Sequence, residues 1–390
     1  MIYLDNAATT KTAPEVVEAM LPYFTECFGN PGAIYSAGFA GRKAVNEARR
    51  IIAEALGAKP EEIYFTAGGT ESDNWAIKAA AESCRHKGRH IITTKIEHHA
   101  VLHTCTYLEK RGYEVTYLEV DREGLVDLKA LRAALRPDTI LISVMFANNE
   151  IGVIEPVKEI GDLARERGIL FHTDAVQAFG QIPVDVNLLH IDMLSASAHK
   201  LNGPKGMGML YIRSGLKVGS FLHGGGQEKG MRAGTENVPG IVGFAAAVSR
   251  AGRMMEDKIR RESALRDYLI ARIEEQIPYC SLNGHRERRL PGNVNFSFRF
   301  VQGEALVLML DMKGVCVSGG SACTSGSTDP SHVLLALGLN PEDAEGALRM
   351  TLSEENTKEE LDTVVEYLKD SVRKLREMSP LYEAFLKKRK

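Results

Sequence analysis

Short runs of aliphatic and β-branched residues recur through the first two-thirds of the chain. They predict strands at residues 63–66, 90–96, 115–120, 140–146, 170–173, 193–196 and 209–213. Between them the apolar positions change to helical spacing, at residues 71–84, 128–135 and 157–167. Strands that alternate with helices build βαβ units, so a mainly parallel sheet with helices on both faces is expected. Such sheets hold ligands where the strands end and the loops begin.

After Gly252 the pattern changes. A long charged helical stretch at 256–276 is followed by a strand at 293–298, a helix at 304–312 and strands near 315–318 and 347–352. The last helix opens on a capping box, Thr357 to Glu360, and keeps Leu361, Val364, Val365, Leu368, Val372 and Leu375 at helical spacing. The expected division is a large domain over residues 16–252 and a smaller α+β domain built from residues 1–15 and 253–390.

At 390 residues, 44% hydrophobic and 25% charged, the chain has ordinary globular composition and length for two or three domains. Its longest apolar run, residues 140–147, is interrupted by Ser143 and falls short of the roughly 20 residues of a membrane span. No basic and then apolar segment opens the sequence, so a cytoplasmic protein without membrane attachment is expected. A net charge of -3 provides no footprint for nucleic acid. The six cysteines contain no C-x-x-C pair, so neither a metal site nor a disulfide framework is expected.

Three segments carry candidate chemistry. Lys200 follows the apolar-small run Ser195-Ala-Ser-Ala-His199 and precedes a Gly203-Pro204 turn. An amine at the end of a buried strand is desolvated, which lowers its pKa and suits attack on a carbonyl. Asp174 ends the preceding strand, where a carboxylate can keep a pyridine nitrogen protonated. The run Thr66-Ala-Gly-Gly-Thr70 leads from a strand into a helix and leaves N–H groups free for an anion such as phosphate. Its spacing matches neither nucleotide fingerprint.

Together with Tyr3-Leu-Asp-Asn-Ala-Ala-Thr-Thr10, Glu97-His98, Asn148-Asn149-Glu150-Ile-Gly152, the pair Asp174 and Gln177, the glycine-rich run from His223 to Asn237, and Ser321-Ala-Cys323-Thr-Ser-Gly-Ser, these segments are similar to one family. Over essentially its whole length the chain resembles cysteine desulfurases of the NifS/IscS type, class V aminotransferases of pyridoxal-phosphate fold-type I. The resemblance implies an α/β enzyme with a mainly parallel seven-stranded sheet and a smaller α+β domain. Departures from the family pattern include Asn30-Pro-Gly-Ala-Ile-Tyr35 and Gly319.

The resemblance also implies roles. Lys200 would hold pyridoxal phosphate as a Schiff base and act as the base at Cα. Asp174 would pair with the pyridine nitrogen, and Gln177 and Asn149 would reach the phenolic oxygen. His98 would stack on the ring and move protons. Gly69, Thr70, Ser197 and His199 would hold the phosphate, with Thr235 added by the partner subunit of a homodimer. Arg349 and Asn149 would bind the substrate, L-cysteine. Cys323, on a loop expected at about 316–330 and too rich in serine and glycine for a core strand, would take the sulfur as a persulfide. A transient acceptor protein, an iron–sulfur scaffold or a tRNA-thiolation carrier, would receive it. A selenocysteine lyase or aminotransferase on the same fold, and a non-catalytic protein retaining it, are the alternatives. The second would be expected to have lost Lys200, Asp174 or Arg349, and all three are present.

Overall fold

A computed structural model describes residues 1–319 and 330–388. In chain order the strands are β1 (Ile2–Tyr3), β2 (Ile63–Thr66), β3 (His90–Thr94), β4 (Glu114–Leu118), β5 (Thr139–Ser143), β6 (Leu170–Asp174), β7 (Met193–Ser197), β8 (Gly208–Ile212), β9 (Cys280–Leu282), β10 (Asn293–Phe298), β11 (Val315–Cys316), β12 (Ser318–Gly319) and β13 (Ala347–Thr351). The strands expected in the first two-thirds all form, and they make one seven-stranded sheet ordered β2-β8-β7-β6-β5-β3-β4. Its pairings are parallel from β4 across to β7, and β8 runs against both of its neighbours. β5, β7 and β8 are buried at every position and β6 at all but its first, as strands covered on both faces must be.

The strand expected at 115–120 ends at Leu118, and those expected at 90–96 and 140–146 also end early, these two each for a local reason. β3 stops at Thr94, whose hydroxyl donates to Glu97 Oε1 (2.8 Å), and the same oxygen accepts the Met145 N–H (2.9 Å). β5 stops at Ser143, because the chain then turns around Asn148. The Asn148 amide donates to Ile96 O (2.8 Å), and its Oδ1 accepts the N–H groups of Glu150 and Ile151. Both turns lie at the carboxyl edge of the sheet.

The stretch expected to begin at residue 256 is the second part of a single helix, Val238–Gln276, 39 residues long. Val238, Ile241, Phe244 and Val248 pack into the core beside the large sheet, whereas Leu269, Ile270 and Ile273 belong to the core under the small one. The small sheet is ordered β12-β13-β10-β9. β1 pairs in parallel with β11, and the following residues 5–8 pass from there to the end of β7.

Candidate active site

β6 and β7 lie side by side and place Asp174 opposite Ser195. β7 continues through Ser197 into the single turn Ala198–Lys200, so Lys200 and Asp174 emerge at the same sheet edge. They line one cavity of about 280 Å³ together with Gly69, Thr70, His98, Asn149, Gln177, Ser197, His199 and Arg349. Of the expected site residues, these ten converge and Thr235 lies elsewhere. Cys323 lies outside the described residues.

Lys200 is half-buried, and its Nζ donates to the carbonyls of Ala7 (2.5 Å) and Ala8 (2.7 Å). Its own carbonyl accepts from Gln181 Nε2 (2.8 Å). Asp174 accepts the Val176 N–H (2.9 Å), and burial pushes its pKa up to about 6 against the pull of that bond and of the Lys200 charge. Behind it lies Asp73, on helix Gly69–Ser83, a second buried carboxyl that burial and the Asp174 charge hold well above the usual range. Asp73 Oδ1 has no hydrogen-bond partner among the described residues and stands 3.6 Å from His172 Nε2. His172 is fixed between the hydroxyls of Ser143 (2.9 Å) and Ser195 (3.0 Å), and burial lowers its pKa to about 3. With that imidazole neutral, the two carboxyls face the cavity short of positive charge. A protonated ring nitrogen beside Asp174 would supply it.

His98 caps helix His99–Glu109: its Nδ1 accepts the Ala100 N–H (3.1 Å). That bond leaves the proton of the neutral ring on Nε2. Burial, followed by the charges of His99 and Lys200, lowers its pKa to about 4. One ligand atom each from Asp73, His98 and Asp174 falls within 4.8 Å of the others, a spacing that would also admit a metal ion.

The opposite end of the cavity suits an anion. Helix Gly69–Ser83 starts without a side-chain cap, so its first N–H groups are open to a ligand. A Cβ on Gly69 would come within 2.5 Å of Val176 Cγ2, so only glycine lets the backbone approach this closely. Beside it are Ser197 and His199, whose Nδ1 is bonded to Thr9 Oγ1 (3.1 Å). Burial and Lys200 lower the His199 pKa to about 4. A ring with a cationic nitrogen at one end and a phosphate at the other fits these residues, and pyridoxal phosphate is such a molecule.

Arg349, on β13, is buried. Its Nη1 donates to Asn149 O and its Nη2 to Asp5 Oδ1, both at 2.9 Å. Its Nε has no partner among the described residues. Asp5 also accepts from Ser318 Oγ (2.8 Å), which joins the N-terminal segment, β12 and β13 at one carboxylate. Gln177 lines the cavity, and its Nε2 donates to Ala7 O (3.0 Å). Thr235 is exposed and does not line this cavity. Sequence reasoning does not single out Asp5, Asp73, His172 or Gln181 as site residues. Asp73 is findable, since it follows Gly69 and Thr70 at helical i+4 and i+3 spacing on one face.

A class-V aminotransferase family model matches residues 2–364. The chain belongs to that family. Among family members, it is 55% identical over 388 residues to a "Cysteine desulfurase IscS" of Clostridium botulinum, covering 99% of this chain and 98% of that one. It is 57% identical over 380 residues to a protein of the same name from Methanosarcina thermophila, covering 97% and 94%. Among solved structures, a NifS-like protein aligns with a TM-score of 0.89 at 38% identity over 95% of this chain and 98% of that chain. Another, SspA in complex with cysteine, aligns with a TM-score of 0.82 at 38% identity over 92% and 100%.

Proposed function

We propose that the protein is a pyridoxal-phosphate-dependent cysteine desulfurase that converts L-cysteine and a thiol of its own to L-alanine and a persulfide. The observation that carries this is the convergence of Lys200, Asp174, His98, Arg349 and an uncapped helix N-terminus on one cavity at one sheet edge. The names of its family members, and the complex of the structurally similar SspA with cysteine, support the substrate.

Bound in the cavity, pyridoxal phosphate supplies an electron sink conjugated to the substrate's Cα. Lys200 would hold it covalently through Nζ, and the same amine, once freed, would take the Cα proton. Asp174 would keep positive charge at the ring nitrogen, and Gln177 and Asn149 would hold the phenolic oxygen. Gly69, Thr70, Ser197 and His199 would hold the phosphate. His98, neutral and with its proton on Nε2, would stack on the ring and exchange protons with the reacting groups. Arg349 takes the substrate carboxylate, for which its unpartnered Nε–H is available. The Cys323 thiolate attacks the substrate sulfur, and the Cβ–S bond breaks with its electron pair left on carbon. Protonation of that carbon gives the methyl group of alanine, and the sulfur stays on Cys323. An acceptor protein of iron–sulfur assembly or tRNA thiolation then removes it in the cytoplasm. Among the described residues, no helix is long and apolar enough to cross a membrane.

The working unit in this proposal is a homodimer. Leu21, Phe24, Phe28, Ile34, Tyr35 and Phe39 are all more than half exposed on the single chain, a concentration of apolar surface that favours a protein partner. Thr235, outside its own cavity, is free to complete the phosphate site of the partner subunit. Borohydride reduction followed by peptide mapping tests the cofactor assignment. The cofactor is expected on Lys200, and a label on another lysine would refute it.

A further inference from the structure

We propose that Glu228, clamped by Arg49, is a positioning residue that sets the loop carrying Thr235 for use by the partner subunit; the proposal rests on the shared-site reading. The pair is buried and bidentate: Arg49 Nη1 donates to Glu228 Oε2 (2.8 Å) and Nη2 to Oε1 (2.6 Å). Glu228 Oε2 also accepts the Phe65 N–H of β2 (2.9 Å), and the guanidinium lies over the Phe65 ring, 4.7 Å from its centre. The carboxylate therefore joins three elements: the loop, the edge strand β2 and helix Ser36–Ala55.

Two features mark the pair as a device for geometry. Neither Arg49 nor Glu228 lines the cavity, so the chemistry does not use them directly. A buried ion pair is a weak source of stability compared with an apolar pair of the same size, because both charges lose their water. It does exclude other placements of the loop, since moving either partner strands a buried charge. The backbone at the clamp is unusual as well. Glu228 (φ 47°, ψ 43°) and Lys229 (φ 59°, ψ 31°) are consecutive non-glycine residues in the left-handed region, which such residues occupy only when surrounding contacts hold them there. Lys229 is held in turn by Glu61 O (2.5 Å) and the face of the Tyr64 ring.

Downstream, Arg232 is paired with Glu71 (2.7 and 3.2 Å), whose Oε2 accepts the Ala67 N–H (3.0 Å). The loop is thus fastened at 228 and again at 232 to its own subunit, and Thr235 projects beyond the second fastening into solvent. Fixing both points on the body leaves few positions for Thr235, and a residue that must meet a phosphate on another chain needs that restriction.

The test uses full-length heterodimers in which one subunit carries Lys200→Ala, so that only the other bears the Lys200-linked cofactor. The readout is the rate at which that cofactor's visible absorbance is lost on dilution. Glu228→Gln placed in the Lys200→Ala subunit is expected to speed release about tenfold, because that subunit supplies Thr235. Placed in the Lys200-bearing subunit, it should leave the rate within about twofold of the wild type. The double variant Arg49→Leu/Glu228→Leu removes both buried charges together, protects against a folding failure of the single variant, and should show the same trans-only acceleration. Acceleration in cis, or none from either variant while Thr235→Ala accelerates release in trans, would overturn the positioning role. If Thr235→Ala has no trans effect either, the shared-site reading falls, and the positioning role with it.

Discussion

Arg349 keeps its Nε–H without a partner among the described residues, while Asp5 and the Asn149 carbonyl hold the other two nitrogens. A buried guanidinium N–H left unpaired is unfavourable by roughly 1–3 kcal/mol, and a carboxylate arriving there recovers that energy. Arg349→Lys is therefore expected to raise KM for L-cysteine by about 10–100-fold, with kcat changed less. Steady-state kinetics on the holoenzyme check this, and an unchanged KM would remove the carboxylate from Arg349. His172 illustrates burial acting in the opposite way. Its pKa falls from 6.5 to about 3 on folding, so below pH 6.5 the unfolded chain takes a proton that the folded one refuses. Its contribution is complete above pH 6.5 and is lost on acidification at up to about 1.4 kcal/mol per pH unit. Urea unfolding between pH 7 and pH 5 should show a shallower acid loss for His172→Asn than for the wild type; equal slopes would contradict a neutral buried His172. Lys200 and Asp174 are legible in the sequence because motif and strand end coincide, whereas His98 and Arg349 are legible only through the resemblance to the family. Asp73 and His172 are harder to read, because their contact depends on a helix packing across two strands.

Among elements, the strands of the large sheet are legible since each is a short apolar run, and their ends are set by side chains that periodicity does not weigh, such as Glu97 and Asn148. The helix Val238–Gln276 is legible only in its charged part. Its first turns, Val-Pro-Gly-Ile-Val-Gly-Phe-Ala-Ala-Ala, are small and apolar on most sides, as suits a segment packed against another helix, and show little amphipathic contrast. Gly252 lies within this helix, exposed, with no atom within 4 Å of where a Cβ would sit. Gly252→Ala should accordingly stabilise the protein by roughly 0.5–1 kcal/mol, read as a higher denaturant midpoint at unchanged slope. A lower midpoint would mean that the helix is not continuous through this residue.

At the scale of the molecule, the two sheets are tied through the cavity by the N-terminal segment. β1 pairs with β11, Asp5 binds Arg349 and Ser318, and the carbonyls of Ala7 and Ala8 receive Lys200. This long-range route is hidden in the sequence, where the participants are hundreds of positions apart. The function proposed for the assembly turns on Cys323, which separates desulfuration from a lyase or transaminase running on the same cofactor residues. The most direct measurement compares alanine release from L-cysteine by the wild-type holoenzyme and by Cys323→Ala, together with the mass of the peptide containing residue 323. The wild type should release alanine and gain one sulfur on that peptide, removable by a thiol reductant. Cys323→Ala should bind cofactor and L-cysteine normally and release almost no alanine. Near-normal alanine release by Cys323→Ala would contradict the persulfide mechanism.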